Sequence, residues 1–336
     1  MPRVLVVTPN YEDYVCDGIL HGLRGLLGAD VVDFPKAEYL YDTATPAVLG
    51  RVRGGAFTLY GRLPDLPVDR DHLLERALGG EFDLVVFGDI WRTWGLFGEW
   101  GPPLHDAGVR LAVLDGSDRA EPYPFAGVWW RRRAWWFVPR AHTRATYFKR
   151  ETTPWTGWFR SYLTLPPPLN ARAARWLEPI SFSVPAAGIV STPPPKTKDF
   201  GVHVVDAEVA PRVGGQTSYA FADEAAYVSD LYAARFGVTT KREGWDALRH
   251  YEIAAAGAVP CFRDLQRKPP RCSPFGLVAG VNCLDYASAD DLLAQVARVD
   301  AESYTRLQAG ALAWVRGHTT EAAARRLLAA MGLRAG

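Results

Sequence analysis

Two cations and one carboxylate follow each other along a single short stretch, in an order that suits the binding of a phosphorylated sugar. Lys241 and Arg242 come directly after Gly237–Thr240, a run with the β-branched composition of a buried strand. Glu252 lies in the helical pattern that begins after Gly244. Cations and free N–H groups at a helix N-terminus favour a diphosphate, and a carboxylate further along accepts from sugar hydroxyls. The order therefore predicts a site for a nucleotide diphosphate-sugar.

The helix that carries Glu252 is predicted from an apolar stripe with three- and four-residue spacing. Gly257 ends this helix, and Ala258–Phe262 has the composition of the next strand. A carboxylate on the same stripe as a large aromatic side chain is placed to bind a ligand. The alternative is that Glu252 only pairs with Arg249 on an exposed face. The stripe consists of Trp245, Leu248, Glu252 and Ala255.

The segment Arg249–Phe262 resembles the nucleotide-sugar segment of GT-B glycosyltransferases, bacterial members among them. In that family a helix carries a glutamate toward the donor ribose and continues into a strand with small residues, Val and Pro. The resemblance implies an α/β fold of two Rossmann-like domains that face each other across a cleft. It further implies that Glu252 holds the ribose and that Lys241 and Arg242 hold the diphosphate. Arg249, at the start of the segment, is counted with these donor-binding residues.

Many retaining members of this family carry a second glutamate eight positions before the first, near the acceptor or the transferred sugar. In this chain that position is Gly244, and the nearest acid is Glu243. The resemblance makes Glu243 a catalytic candidate and leaves the stereochemical outcome of the reaction open. The resemblance extends more loosely from Phe200 to the C-terminus. The N-terminal half resembles the family in the order of its predicted strands and helices and not in a specific motif.

Length and composition suit a globular protein with two domains, since the chain has 336 residues, 48% hydrophobic and 22% charged. A net charge of +1 gives no overall field to attract nucleic acid, which is not an expected partner. No metal and no cofactor besides the donor substrate is expected, because cations and a helix end can supply the positive charge. The cysteines are too far apart to predict a zinc site or a disulfide framework: Cys16, Cys261, Cys272 and Cys283.

The first residues predict a βαβ unit, with a strand at Arg3–Thr8, a helix at Tyr14–Leu27 and a strand at Asp30–Phe34. The opening apolar run is too short for a signal-peptide core or a membrane span, so a cytoplasmic protein is expected. The glycine-rich turn of dinucleotide-binding proteins is missing between the first strand and the helix. This absence disfavours a nicotinamide-dependent oxidoreductase.

Three titratable residues near the start of the first helix are spaced four apart, namely Asp13, Asp17 and His21. This spacing places them on one helix face if the helix begins early enough. Asp17 and His21 are therefore catalytic candidates for a general base. The alternative is a polar, solvated helix face without a catalytic role.

Two strong strand patterns, Phe82–Asp89 and Arg110–Asp115, both end in acids. Ligands of open α/β sheets bind beyond the carboxyl ends of the strands, so Asp89, Asp115 and Asp118 are expected to face the cleft. Asp89 and Asp115 are predicted to meet acceptor hydroxyls, and Asp118 joins the catalytic candidates. Each of these acids would alternatively cap the helix that follows it.

The stretch Trp129–Trp136 has two pairs of tryptophans around three arginines. It would suit single-stranded nucleic acid, which the neutral overall charge disfavours. It would also suit peripheral contact with an anionic membrane surface. A third interpretation is that the tryptophans pack while the arginines pair with the cleft acids, and a carbohydrate acceptor then stacks on a ring such as Trp129.

Prolines bracket the expected crossing between the two domains, at Pro166–Pro168 and Pro193–Pro195. The second domain is predicted to begin with a strand at Asp199–Asp206. The Gly-Gly loop that follows is predicted to wrap a phosphate, with the assistance of Arg212. As an alternative, the two acids of Val204–Glu208 resemble the acid-x-acid metal motif of single-domain glycosyltransferases. The predicted divisions are an acceptor-side domain at 1–185, a nucleotide-sugar domain at 186–318 and a C-terminal helix at 319–336.

These patterns favour a glycosyltransferase whose C-terminal half binds the nucleotide diphosphate-sugar and whose N-terminal half binds a small-molecule, glycan or natural-product acceptor. Two other classes stay open. One is a non-catalytic two-domain protein that binds a nucleotide or a sugar, and the other is a nucleotide-sugar epimerase or dehydrogenase. The donor sugar, the nucleobase, the acceptor and the oligomeric state are not determined by the sequence.

Overall fold

The structure is a computed structural model, and it describes residues 1–52, 59–118, 144–152, 177–221 and 223–335. Within these residues the chain forms two parallel β-sheets with helices packed against them. The stretch Trp129–Trp136 lies outside the described residues, and so do the predictions made for it and for Trp129.

In the described residues, the first sheet consists of β1 (Val4–Val7), β2 (Val31–Phe34), β3 (Leu84–Phe87), β4 (Arg110–Asp115), β5 (Thr146–Lys149) and β6 (Leu177–Pro179). Their order across the sheet is β2-β1-β3-β4-β5-β6, and every neighbouring pair is parallel. All residues of β1 and β3 are buried, which requires apolar side chains on both faces and explains their unbroken apolar runs. The predicted opening βαβ unit and the strands predicted at 82–89 and 110–115 are confirmed.

The helices that the structure describes beside this sheet are α1 (Tyr14–Leu27), α2 (Pro46–Leu49), α3 (Leu73–Leu78) and α4 (Ile90–Asp106). Asp13 caps α1, because its carboxylate accepts from the N–H of Cys16 at 2.7 Å. Asp89 caps α4 in the same way by accepting from the N–H of Trp91 at 3.2 Å. Carboxylates therefore hold the loops at the carboxyl ends of both β1 and β3.

The second sheet consists, in chain order and in order across the sheet, of β7 (Lys198–Phe200), β8 (Ala234–Thr239), β9 (Val259–Arg263) and β10 (Leu284–Tyr286). All its neighbouring pairs are parallel. The helices of this half are α5 (Glu224–Ala233), α6 (Leu248–Ala255), α7 (Ala289–Arg298), α8 (Ala301–Arg316) and α9 (Thr320–Ala330). The predicted domain boundary at residue 185 falls between the last strand of the first sheet and the first strand of the second.

The strand predicted at Asp199–Asp206 is wrong beyond Phe200, where β7 ends. The chain leaves the sheet there, and the Asp206 carboxylate accepts from the Arg263 guanidinium at 2.8 Å. Glu208 accepts from the same guanidinium at 2.7 Å. The two acids that resemble a metal motif are therefore neutralised by an arginine of β9.

The helix α6 begins at Leu248, although the apolar stripe predicts a start just after Gly244. The N–H groups of Trp245 and Asp246 donate to one carboxylate oxygen of Glu151, at 2.8 and 3.0 Å. Trp245 and Asp246 lie in the loop between β8 and α6, and Glu151 holds this loop. The stripe predicted the correct helix but placed its first turn too early.

The last helix, α9, packs against α1 and so returns the end of the chain to the first sheet. Gly22 of α1 permits the close approach, because a Cβ there would overlap the backbone oxygen of Thr320. A Cβ at Gly18, one turn earlier, would lie 2.7 Å from the Ser183 hydroxyl. The helix predicted at residues 319–336 corresponds to α9.

The apolar core continues from one sheet to the other through α6. Tyr251 and Ala254 of α6 belong to the same buried cluster as Val15 and Ile19 of α1, and Trp314 of α8 joins them. This shared packing fixes the carboxyl edges of the two sheets relative to each other. Among the described residues, no helix combines the length and the apolar composition that crossing a bilayer requires.

Candidate functional site

A cavity of about 270 Å³ lies at the carboxyl edge of the second sheet, where β7 and β8 end and α6 begins. Ligands of parallel sheets bind at this edge, because strand ends and helix N-termini meet there. We call it the Glu252 cavity. Its polar lining residues are Tyr14 from α1, and His203, Tyr219, Tyr227, Thr239, Thr240, Arg242, Arg249 and Glu252 from the second half of the chain.

Glu252 lines this cavity from the middle of α6. Its Oε2 accepts from the hydroxyl of Tyr227 at 2.7 Å. Burial raises the pKa of Glu252 above its usual value, and the hydrogen bond from Tyr227 opposes this shift. The alternative of an exposed surface pair with Arg249 is therefore wrong. A half-buried acid on a cavity wall is typical of a carboxylate that binds a ligand.

Positive charge reaches the cavity from Arg242 and Arg249. Arg249 is held in place, because its guanidinium donates to the backbone oxygens of His203 and Val238 at 2.5 and 3.3 Å. The first turn of α6 adds partial positive charge, since Ala247 at its N-cap provides no side-chain acceptor for the free N–H groups. This end of the cavity therefore suits an anion.

Lys241 does not line the cavity, unlike its neighbour Arg242. Its ammonium group donates to the backbone oxygens of Arg242 and Glu243 at 3.2 and 3.0 Å, so it closes its own loop. Glu243 is exposed and is not part of the cavity lining. Arg212 forms an exposed ion pair with Asp290 at 2.8 Å, and the phosphate contact predicted for it stays a prediction. Of the two cations predicted to bind the diphosphate, Lys241 and Arg242, it is Arg242 that lines the cavity.

Asp115, at the end of β4, is buried and committed to four side-chain partners. Its carboxylate pairs with Lys149 at 3.0 Å and accepts from the Tyr147 hydroxyl at 2.7 Å. The Trp91 Nε1–H and the Ser117 hydroxyl donate to it at 3.0 and 2.7 Å. The acceptor contact predicted for Asp115 is therefore wrong, because this acid joins β4 to β5 instead.

Asp89, at the end of β3, combines burial with a pKa near neutrality. Burial, together with the charges of Asp13 and Asp115, raises the pKa of Asp89 to about 7. Arg92 pairs with its carboxylate at 3.1 Å. A carboxyl group with this pKa can accept or release a proton near neutral pH. Contact between Asp89 and an acceptor hydroxyl stays a prediction.

Asp17 and His21 form hydrogen bonds that join α1 to neighbouring segments. Asp17 is buried, and its carboxylate accepts from the Tyr39 hydroxyl and the Asp13 N–H, at 2.9 and 3.0 Å. Burial raises the pKa of Asp17 well above its usual value. The His21 Nδ1 lies 2.9 Å from the Thr320 hydroxyl of α9, and burial lowers its pKa. The general-base role of both residues stays a prediction.

A buried charged network joins the first sheet to the loop before α6. Arg150 directly follows β5, and its guanidinium donates to the backbone oxygens of Gly116 and Asp246 at 2.8 and 2.9 Å. Asp118, the remaining catalytic candidate, is partly exposed and pairs with Arg150. Neither Arg150 nor Glu151 is predicted as a site residue, although two charged residues directly after an apolar strand were an available signal.

Asp246 is a buried acid of this network, and burial is the main cause of its shifted pKa. Its Oδ2 accepts from the N–H of Phe182 at 2.9 Å, and its Oδ1 from the Tyr251 hydroxyl at 2.8 Å. Burial raises the pKa of Asp246 to about 6, while the charge of Arg150 opposes the shift. An acid with a raised pKa in the folded state contributes most stability below its ordinary pKa. That contribution is lost as the pH rises through about 6.

We expect Asp246→Asn to gain stability relative to the wild-type protein as the pH rises. Ionisation of the buried Asp246 costs the fold ~2 kcal/mol between about pH 4.5 and about pH 7.5, and the neutral amide carries no such cost. Urea unfolding of both proteins across this range measures the effect. The difference in free energy of unfolding should grow with pH, and a difference that stays constant would show that Asp246 ionises normally.

Aromatic side chains also border the Glu252 cavity, and no sequence pattern marked them. The ring centroid of Tyr219 lies 5.7 Å from that of Phe221, 6.0 Å from that of Tyr227 and 5.6 Å from that of His203. Flat rings of this kind provide contact area for a base or a sugar. They escaped prediction because Tyr219 and Phe221 lie in an irregular segment without periodicity.

No protein-family model and no curated protein matches this chain. Solved structures match it at low identity over nearly its whole length. HepE from Anabaena in complex with UDP and glucose is 10% identical, with a TM-score of 0.52 over 99% of this chain and 100% of that chain. Sucrose-phosphate synthase from Thermosynechococcus elongatus is 13% identical, with a TM-score of 0.50 over 98% and 100%. These likenesses confirm the predicted GT-B fold of two Rossmann-like domains.

Proposed function

We propose that this protein is a glycosyltransferase that takes a sugar from a nucleotide diphosphate donor. The observation that carries the proposal is the Glu252 cavity, which combines a half-buried carboxylate with positive charge from Arg242 and the first turn of α6. Ribose hydroxyls donate to a carboxylate, and a diphosphate accepts from N–H groups, so one donor satisfies both ends. In this proposal Glu252 holds the ribose and Arg242 holds the diphosphate.

The fold likeness supports a nucleotide-sugar as the donor. HepE structures contain UDP with glucose, or UDP-glucose. A uridine diphosphate donor is therefore the first to test on this chain. The cavity itself supports such a donor, independently of the fold likeness. Strand ends, the N-terminus of α6 and Glu252 all meet in it.

The acceptor has room at the carboxyl edge of the first sheet. A cavity of about 490 Å³ lies beyond β1 and β2, and Tyr11, Lys36 and Tyr39 are part of its lining. Tyrosine rings and charged groups together suit a polyhydroxylated acceptor. Arg92 lies over the ring of Tyr11 at 4.0 Å and pairs with Asp89 at 3.1 Å. This link is the reason to propose Asp89 as the acid that meets the acceptor hydroxyl.

Transfer of the sugar leaves growing negative charge on the departing diphosphate. Arg242 and the free N–H groups of α6 stabilise that charge, which lowers the barrier because the charge is larger in the transition state than in the ground state. The proposal requires no divalent metal, since these groups supply positive charge themselves. Asp89 receives the proton of the attacking hydroxyl, a role that a pKa of about 7 suits.

Thermal-shift measurements with nucleoside diphosphates, nucleotide-sugars and NAD test the proposal. A ligand that binds only the folded state raises the melting temperature. We expect a rise with at least one nucleoside diphosphate and with its nucleotide-sugar, and none with NAD. A rise with NAD alone would favour an epimerase or dehydrogenase. Binding of a nucleotide-sugar that is never turned over with any acceptor would favour a non-catalytic binding protein.

Arg242→Ala is expected to weaken nucleoside diphosphate binding about 10-fold, because one charged hydrogen-bond donor to phosphate contributes ~1.5 kcal/mol. Lys241→Ala should have a smaller effect, since the ammonium group donates to its own loop. Arg306→Ala is the matched control, because Arg306 pairs with Glu302 on the exposed side of α8. Isothermal titration calorimetry measures the affinities. A larger loss for Lys241→Ala than for Arg242→Ala would contradict the assignment of the phosphate ligand.

A further inference from the structure

The loop that carries Arg242 is held by Glu151, which lies just beyond the end of β5. We call residues 241–247 the donor loop, which leads from β8 to α6. Near its end, the N–H groups of Trp245 and Asp246 donate to Oε1 of Glu151 at 2.8 and 3.0 Å. A carboxylate oxygen that accepts from two successive N–H groups fixes the backbone more firmly than a single neutral hydrogen bond does.

Arg150 adds a second contact from the same strand end. Its Nη1 donates to the backbone oxygen of Asp246 at 2.9 Å, and its Nε donates to that of Gly116 at 2.8 Å. The guanidinium group also lies over the Phe182 ring at 4.4 Å and pairs with Glu151 at 3.3 Å. Two neighbouring residues that directly follow β5 therefore hold the donor loop at one point.

The support behind Glu151 is rigid. Glu151 is 2% exposed and forms an antiparallel bridge with Cys272. The backbone oxygen of Arg150 accepts from the N–H of Ser273 at 3.2 Å. A side chain whose backbone and surroundings are fixed in this way holds its partner in one place.

Gly244 allows the donor loop to approach this closely. A Cβ there would lie 2.6 Å from Oε1 of Glu151 and would overlap Oδ1 of Asp118. Gly244 does not have a left-handed backbone conformation, so its neighbours and not its φ require a glycine. The carbonyl oxygen of Gly244 accepts from the N–H of Arg242 at 2.9 Å. This hydrogen bond connects the part of the loop next to Glu151 with the backbone of Arg242.

We propose that Glu151 is a positioning residue for donor binding, which fixes the donor loop so that Arg242 faces the Glu252 cavity before a donor arrives. The inference rests on the proposed function and extends it, by giving a residue just beyond β5 a role at the donor site. A cation on an ordered loop binds phosphate more tightly, because the loop loses its conformational entropy when the protein folds. Binding of the phosphate then carries no further entropy cost for ordering the loop. Glu151 acts through Arg242 and does not contact the donor.

A double-mutant cycle of Glu151→Ala and Arg242→Ala tests this, with the nucleoside diphosphate that the wild-type protein binds most tightly. We expect Glu151→Ala to weaken binding about 5-fold when Arg242 is present and less than about 2-fold when it is alanine. Affinity for the nucleoside without phosphates should not change. Equal losses in both backgrounds would overturn the positioning role and leave the proposed function intact. Failure of the wild-type protein to bind any nucleoside diphosphate would overturn both.

Gly244→Ala reaches the same contact from the loop side and covers the case in which Glu151→Ala does not fold. It should weaken diphosphate binding only when Arg242 is present. Hydrogen exchange gives a readout without ligand: in Gly244→Ala and Glu151→Ala the donor loop should exchange faster than in the wild-type protein. Glu151→Gln, which keeps an acceptor oxygen, should restore most of the protection. Unchanged exchange across the donor loop in both variants would overturn the proposal.

Discussion

Replacing Glu252 with alanine is expected to weaken nucleoside diphosphate binding about 50-fold, because in the proposed complex the carboxylate accepts two ribose hydroxyls and their loss amounts to ~2 kcal/mol. Stability should not fall in parallel. Burial raises the pKa of Glu252, so its ionised form costs stability above the ordinary pKa, and the cost disappears with the side chain. Calorimetry measures the affinity and urea unfolding measures the stability. If the variant loses binding but keeps its stability, Glu252 serves ligand binding and is not needed for folding.

Two further variants show whether the carboxylate itself is responsible. Glu252→Gln keeps the shape and an acceptor oxygen but not the charge, so its affinity should lie between those of the wild-type protein and Glu252→Ala. Glu302→Ala removes an exposed acid on α8 and should leave binding unchanged. Donor affinity in Glu252→Ala equal to that of the wild-type protein would contradict the assignment of Glu252 to the ribose.

Gly22→Ala is expected to destabilise the protein by about 3 kcal/mol, the upper part of the range for overpacking in a closed interface. The added methyl group would overlap the backbone oxygen of Thr320, and backbone cannot rotate away as a side chain can. Relief therefore requires α1 and α9 to separate, which exposes apolar surface on both helices. Urea unfolding measures the change in free energy of unfolding.

Gly25→Ala is the matched control, on the same helix and three residues further along. A Cβ at Gly25 would lie 3.7 Å from the Glu321 side chain, an ordinary contact distance. Because alanine is also the better helix former, this variant should be as stable as the wild-type protein or more stable, by up to ~1 kcal/mol. Equal destabilisation by both substitutions would show that the close contact between α1 and α9 does not hold in solution.

The parallel sheets were predictable because strands buried on both faces have to be apolar at every position. β1 and β3 show this directly, and the acids at the ends of β3 and β4 mark the edge where a ligand binds. Glu252 was predictable for a related reason, since an acid on an otherwise apolar helix stripe needs a partner or a ligand. The structure supplies Tyr227 as the partner and a cavity for the ligand.

The contacts that the sequence did not predict join segments far apart in the chain. Nothing near Asp115 indicates that β5 brings Lys149 to within 3.0 Å of it. Nothing near His21 indicates that α9 covers that face of α1. The loop before α6 likewise depends on a distant residue, since the N–H groups of Trp245 and Asp246 donate to Glu151. Such partners are set by tertiary packing, and spacing along the sequence carries no record of them.

One comparison decides whether Glu252 holds a ribose. Calorimetry of the wild-type protein with the best-bound nucleoside diphosphate and with its 2′,3′-dideoxy analogue isolates the contribution of the two hydroxyls. We expect the wild-type protein to prefer the hydroxylated ligand about 50-fold, and Glu252→Ala to bind both ligands with equal affinity. Equal affinity of the wild-type protein for the two ligands, or a preference that survives in Glu252→Ala, would contradict the proposed site.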